Sequence, residues 1–197
     1  NGETRKNSVM AGFYCFDAAI ETVLLHEGFD RFTDDKADPG GPTRWGISLR
    51  FLQTLGDDDG DGWLDGDLDH DGDVDIEDIR AMTRLHAEEF YRRQFWDRYQ
   101  YAQLPQSRVR VKVFDLAVNM GPSNAHKVLQ RGVRACGHDI ADDGILGPIT
   151  RNLAFACLQE TLLAACRSEA AGHYRSLVLR RPAFGKYLQG WLNRAYS

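Results

Sequence analysis

The residues from Asp57 to Asp78 include eleven Asp and one Glu and no Lys or Arg. No other segment constrains the fold as strongly. Like charges about 4 Å apart repel by about 4 kcal/mol per pair at the effective dielectric of a protein surface, so this block cannot be packed away without a counter-charge. It has to be a surface loop that interrupts whatever its flanks build. Within it, Asp67-Leu68-Asp69-His70-Asp71-Gly72-Asp73-Val74-Asp75-Ile76-Glu77-Asp78 fits a twelve-residue calcium loop of EF-hand type. Asp67, Asp69 and Asp71 take positions 1, 3 and 5, and Gly72 supplies the sharp turn at position 6. Asp73 offers its carbonyl at position 7, Val74 is the apolar position 8, Asp75 is position 9, and Asp78 replaces the usual Glu at position 12. Asp57, Asp59, Asp61, Gly62 and Asp65 repeat the pattern ten residues earlier, but there Leu68 falls at position 12. We expect one structural calcium ion in the second loop. A second ion in the first loop, borrowing Asp67 or Asp69, stays open.

The flanks read as helices. Phe16, Ile20, Val23 and Leu24 recur at helical spacing within residues 13–27, and Gly28 should stop that helix. Residues 29–44 form a loop rich in Asp, Pro and Gly, followed by a short helix ending before Gly56. Residues 75–98 read as one long helix with Ile76, Ile79, Met82, Leu85, Phe90 and Trp96 on its apolar side. Beyond Pro105 come helical stretches over 109–119, 125–136, 149–158 and 159–180, and a last one over 187–194. Gly121-Pro122, Asp142-Asp143-Gly144, Gly147-Pro148 and Pro182 separate them. The fold class is therefore all-α, and 197 residues suffice for one core or two small lobes.

Charge narrows the partners. The net charge is -5, yet the 24 Lys and Arg residues all lie outside the acidic block and outnumber the 17 acidic residues that remain of 29. A mildly basic body suits an anionic polymer such as cell wall or nucleic acid. No basic cluster coincides with a nucleic-acid reader motif, so nucleic acid is not expected. No apolar stretch is long enough for membrane insertion, and the polar start, Asn1 to Asn7, shows no signal peptide, which leaves an export route unknown. Cys15, Cys136, Cys157 and Cys166 lack metal-like spacing and are expected to be buried thiols.

One constellation carries glycosidase chemistry. Cleaving a glycosidic bond needs a carboxylic acid to protonate the leaving oxygen and usually a second carboxylate near the sugar. Glu27, at the end of an apolar helix, faces a loop that offers Asp34, Asp35, Asp38 and Thr43. A Thr hydroxyl can position a water for attack on the far face of the ring. Spacing alone reads more readily as a plain helix end followed by a polar turn.

The motifs then become specific. His26-Glu27-Gly28-Phe29, Ala37-Asp38-Pro39-Gly40-Gly41-Pro42-Thr43 and Trp45-Gly46-Ile47 resemble the start of glycoside hydrolase family 108, the N-acetylmuramidases of phage-lysis and secretion-accessory type. That family's motif has two glycines after the Glu, and Phe29 stands here at the second. The segment before Asp38 is about two residues longer than usual, so Asp35 competes with Asp38 as the second carboxylate. Phe90-Tyr91-Arg92-Arg93-Gln94-Phe95-Trp96, Asp115-Leu116-Ala117-Val118-Asn119-Met120-Gly121, Leu129-Gln130, Asp143-Gly144-Ile145-Leu146-Gly147-Pro148-Ile149-Thr150 and Gly190-Trp191-Leu192-Asn193-Arg194 resemble the peptidoglycan-binding region that follows in the family.

The resemblance implies a lysozyme-like, two-lobed helical fold that cuts the β-1,4 bond between N-acetylmuramic acid and N-acetylglucosamine. Glu27 would be the general acid, with Asp38 and Thr43 as its partners. Asn119, Trp191 and Tyr91 are candidate sugar contacts; Asn119 reads equally as a cap of the turn at Gly121, and Trp191 and Tyr91 read more readily as core. Residues 13–104 would form the catalytic segment, with the calcium insert at 57–78, and residues 105–197 the wall-binding region. The chain would act as a monomer on bacterial peptidoglycan, in the periplasm or outside the cell, with calcium structural and no cofactor for catalysis. A lytic transglycosylase, or a catalytically silent, calcium-dependent wall-binding module, is the alternative.

Overall fold

The computed structural model describes residues 15–34, 40–58 and 60–197. Among them, regular structure is helical apart from one hairpin of two-residue strands and an isolated bridge between Thr33 and Thr43. The elements run α1 (Phe16–Glu27), β1 (Thr43–Arg44), β2 (Ile47–Ser48), α2 (Leu49–Leu52), α3 (Ile76–Ala81) and α4 (Arg84–Tyr91). A π-turn at Arg92–Asp97 and a 3-10 turn at Tyr101–Gln103 follow. Next are α5 (Arg108–Met120), α6 (Pro122–Ala135), α7 (Pro148–Ala156), α8 (Gln159–Arg180), a 3-10 stretch at Pro182–Tyr187, and α9 (Leu188–Tyr196). The chain divides into two compact units: residues 23–91, and residues 92–197 together with the start of α1.

The larger unit has α8 as its longest element. α6 packs on it closely enough that a Cβ on Gly132 would come 2.9 Å from Cys166 Sγ, so glycine permits the approach. An aromatic cluster of Phe16, Trp96, Tyr101 and Phe114 fills the space beside α5. Trp96 meets Phe114 edge-on at 5.2 Å and Phe16 at 5.6 Å, the geometry that ring quadrupoles favour.

Two buried polar systems hold the remaining elements. Asp115, fully buried on α5, pairs with Arg194 of α9 at 2.8 Å, while Lys112 donates to the Arg194 carbonyl at 2.7 Å. His126, buried on α6, lies 3.0 Å from the Gly144 carbonyl and 2.9 Å from the Tyr101 hydroxyl. A carbonyl can only accept, so Nδ1 carries the proton and the neutral ring's Nε2 accepts from Tyr101. Gln130 grips both ends of the same turn, donating to Asp143 at 2.7 Å and accepting from the Gly144 amide at 2.9 Å. The Asp143-Gly144 motif is thus a turn locked to α6.

The long helix expected over residues 75–98 is broken. Met82 is extended (φ -56°, ψ 123°) and fully buried. Thr83 then restarts the helix, since its hydroxyl accepts from the His86 amide at 3.3 Å while His86 Nδ1 accepts from the Thr83 amide at 3.4 Å. This reciprocal cap is the capping-box arrangement with His in place of Glu. The other expected helices are present with ends shifted by a few residues, as fraying termini allow. All four cysteines are free thiols: Cys157 and Cys166 are buried, Cys15 and Cys136 part-buried.

Candidate active site

Glu27 closes α1. The Gly28 amide bonds to the Leu25 carbonyl at 3.3 Å, and the Phe29 amide reaches back to the Leu24 carbonyl at 2.8 Å. This is the Schellman ending, with Gly28 in the left-handed conformation at φ +87°. Phe29 follows at φ +51°, a region that favours glycine. The residue that departs from the family motif therefore adopts the backbone conformation a glycine there would take. The cap fixes the helix end, and with it the point from which the Glu27 side chain leaves.

The hairpin supplies the other wall. Thr43 pairs with Ser48 and Arg44 with Ile47, so Trp45 and Gly46 form a two-residue turn. Both have positive φ, 55° and 78°, which is the type I′ geometry that matches strand twist. Gly46 lies directly against Glu27: a Cβ there would sit 2.6 Å from Glu27 Cγ, 2.7 Å from Glu27 Cβ and 2.6 Å from the Tyr91 hydroxyl. The Tyr91 hydroxyl donates to the Trp45 carbonyl at 2.9 Å, tying the turn to α4. Arg44 holds the hairpin from outside, bonding Asp30 and the Arg80 carbonyl.

The expected site residues are placed as follows. Thr43 shares the hairpin with Gly46; its hydroxyl donates to the Gly41 carbonyl at 3.2 Å, which leaves the oxygen's lone pairs to accept. Tyr91 is buried, with its hydroxyl on the Trp45 carbonyl. Asn119 accepts from the Tyr174 hydroxyl at 2.7 Å. Trp191 is half-buried, stacked on Tyr174 at 5.3 Å and flanked by Phe184 and Tyr187. Asp38, Asp35 and Asp59 lie outside the described residues. Sequence reasoning missed Gly46 as the wall behind Glu27. The available signal was Gly46 between two short β-compatible dipeptides, and the tryptophan before it does not mark a left-handed turn.

The acidic insert is ordered by its own carboxylates. Asp67 accepts from the amides of Asp71 and Gly72 at 3.2 and 3.0 Å, and Asp71 accepts from Asp73 at 3.1 Å. Ten residues earlier, Asp57 accepts from Asp61 and Gly62 at 3.1 and 3.0 Å, and Asp61 from Trp63 at 2.9 Å. The two loops thus repeat one hydrogen-bonding scheme, and Trp63 meets His70 edge-on at 5.1 Å between them. Asp78 is buried and accepts from Leu68 at 2.6 Å and from Asp75 at 2.7 Å, completing a capping box at the start of α3.

Oxygens of Asp67, Asp69 and Asp71 lie within 4.8 Å of one another, as do those of Asp73, Asp75 and Asp78. Crowding shows in proton affinity. The Asp71 charge is the main cause that holds Asp73 above the ordinary carboxylate range; Asp69 is raised first by burial, then by Asp71 and Asp78. Oxygen-only donors of this density fit a hard divalent cation such as calcium.

Known proteins resemble this chain in sequence and in fold. The family described as glycosyl hydrolase 108 matches residues 20–121, and the one described as a predicted peptidoglycan domain matches residues 124–196. The solved structure of Brucella abortus SagA is similar at 23% identity with a TM-score of 0.66, over 92% of this chain and 89% of that one. The fold is thus all-α and lysozyme-like. No curated protein matches the chain significantly. No helix among the described residues is long and apolar enough to cross a membrane.

Proposed function

The chain belongs to the glycosyl hydrolase 108 family, and on that footing we propose that it is an N-acetylmuramidase with Glu27 as its general acid. A glycoside hydrolase family over the first half and a peptidoglycan domain over the second make peptidoglycan the substrate, and the cell wall is where such a chain acts. The finer reading is hydrolysis of the β-1,4 bond between N-acetylmuramic acid and N-acetylglucosamine. The observation that carries it is the seating of Glu27, a carboxyl at a capped helix end backed by the Gly46 turn.

In this reading Glu27 gives its proton to the glycosidic oxygen as the bond to the anomeric carbon breaks. A water that donates a hydrogen bond to the Thr43 oxygen attacks that carbon from the opposite face and passes its other proton to the carboxylate of Asp38, so the anomeric centre inverts. Tyr91 holds the turn behind Glu27 through its hydroxyl, and Asn119 and Trp191 are candidate sugar contacts within the second half. Residues 13–104 do the chemistry and residues 105–197 hold the wall.

Calcium in this proposal is structural. Asp67, Asp69, Asp71, Asp73, Asp75 and Asp78 would hold one ion, and Asp57, Asp59 and Asp61 are candidates for a second. The ion would neutralise the block and fix the start of α3, whose Arg80 carbonyl Arg44 grips. Gln53, just past α2, donates to the Val74 carbonyl at 2.9 Å and ties the same loop to the hairpin's far end.

Mass spectrometry of a muropeptide digest tests the reading. Products with reducing N-acetylmuramic acid ends are expected. Anhydro ends would make the chain a lytic transglycosylase, reducing N-acetylglucosamine ends would move the cut to the other bond, and an undigested wall would leave a binding module.

A further inference from the structure

Beside the apolar seam of α6 and α8 the same helices carry a polar stripe. Glu169, His173, Ser176 and Arg180 follow one another at four-, three- and four-residue steps on α8, and Lys127 and Arg131 are four apart on α6, so each set shares a face. These side chains line a cavity of about 430 Å³, a volume suited to a small-molecule group. Its charge is one-sided, with three cations facing the single anion Glu169. Arg131 also serves Asp142 at 2.6 Å, a carboxylate it shares with Arg134 at 2.8 Å. These two guanidinium groups hold Asp142 down at about 2. Lys127 and Arg180 form no ion pair with a side chain among the described residues.

Burial, then the charges of Arg180 and Arg131, keeps His173 below the ordinary imidazole range, so near neutral pH its ring is an uncharged donor and acceptor. The lining contains no Trp, Tyr or Phe to stack on a sugar. All of it falls within residues 124–196, the span of the peptidoglycan-domain match.

We propose that this cavity binds a carboxylate of the peptidoglycan peptide stem, with Lys127 and Arg180 as the principal cations and the His173 ring and Ser176 hydroxyl as neutral partners. The wall polymer offers both sugars and peptide carboxylates, and a cationic cavity without Trp, Tyr or Phe selects the latter. The proposal rests on peptidoglycan being the substrate. It assigns the second half a recognition task separate from cleavage at Glu27.

Titration calorimetry on the full chain tests it, with the soluble stem peptide L-Ala-γ-D-Glu-L-Lys-D-Ala, the same peptide with its carboxylates amidated, and inorganic phosphate as probes. The free-acid peptide is expected to bind, and the amidated one to bind at least about tenfold more weakly. Lys127→Ala with Arg180→Ala should cost about tenfold, the loss expected for two part-exposed charge contacts. Glu169→Gln should tighten binding, an outcome that loosened packing would not produce.

Equal binding of acid and amide, an unaffected double variant, or phosphate binding as tightly as the peptide would each overturn the assignment. The last would mark an unspecific anion site. Glycan cleavage without stem binding would sink this proposal and leave the muramidase reading standing. Stem binding without glycan cleavage would do the reverse.

Discussion

Replacing Gly46 by Ala tests how the structure holds Glu27. The added Cβ would lie 2.6 Å from Glu27 Cγ and from the Tyr91 hydroxyl, well inside contact distance, at a backbone φ of +78°. The left-handed conformation costs an L-residue about 1–2 kcal/mol and the overlap about 1–3 kcal/mol, so a loss of about 2–5 kcal/mol in stability is expected. Relief of the overlap has to push Glu27 aside, and a displacement of about 1 Å in a catalytic group costs on the order of a hundredfold in rate. Gly137→Ala is the control, because Gly137 has φ +94° and no atom within 4 Å of an added Cβ. It should show the strain alone, about 1–2 kcal/mol, with lysis unchanged. Thermal melts and turbidity clearing of a cell-wall suspension, run where both variants are folded, separate the two effects. If Gly46→Ala clears the wall as fast as Gly137→Ala, Glu27 is not positioned by the hairpin and the reasoning is wrong.

Calcium bound to the native state alone should raise the melting temperature with concentration, by the equivalent of about 2.7 kcal/mol at a hundred times the dissociation constant. Replacing Asp67 and Asp71 by Ala should abolish that rise, and calorimetry showing no heat at millimolar calcium would remove the site. Early products should carry the inverted anomer by NMR; retention would contradict water held by Asp38 and Thr43, and full activity in Asp38→Asn with loss in Asp35→Asn would move the base to Asp35. Burial holds the Lys112 amine down at about 8 against an ordinary 10.5 despite the nearby Asp115 charge. Between those values the unfolded chain binds the extra proton and the native one does not, so stability relative to Lys112→Met should rise as pH climbs from about 8 towards 10.5. A flat difference across that window would contradict an amine desolvated in the core.

The helices were legible where apolar residues recur at helical spacing and Gly or Pro punctuates them, as at Gly121-Pro122, Gly147-Pro148 and Pro182. Residues 75–98 misled because Met82 is as apolar as its neighbours, and periodicity does not register a residue that is buried and extended. Thr83, three residues before His86, was the missed signal of a new cap. The hairpin went unread for a different reason. Strands of two residues carry no alternation, and their turn places a tryptophan at φ +55°, which composition does not advertise. Glu27 was visible from its motif, but its seating depends on Gly46, nineteen residues on, where the absence of a side chain is what matters. Of the acidic loops, the sequence shows the order of the candidate ligands. That the two repeat one hydrogen-bonding scheme, and that Asp78 is the buried cap of α3, emerges only from the backbone.

The most direct measurement of the central claim is the rate of muropeptide release by Glu27→Gln, a side chain of the same size that cannot donate the acidic proton. With a melting temperature close to that of the wild type, release should fall by at least about a hundredfold. Near-normal release by the folded variant would end the assignment of Glu27 as the acid.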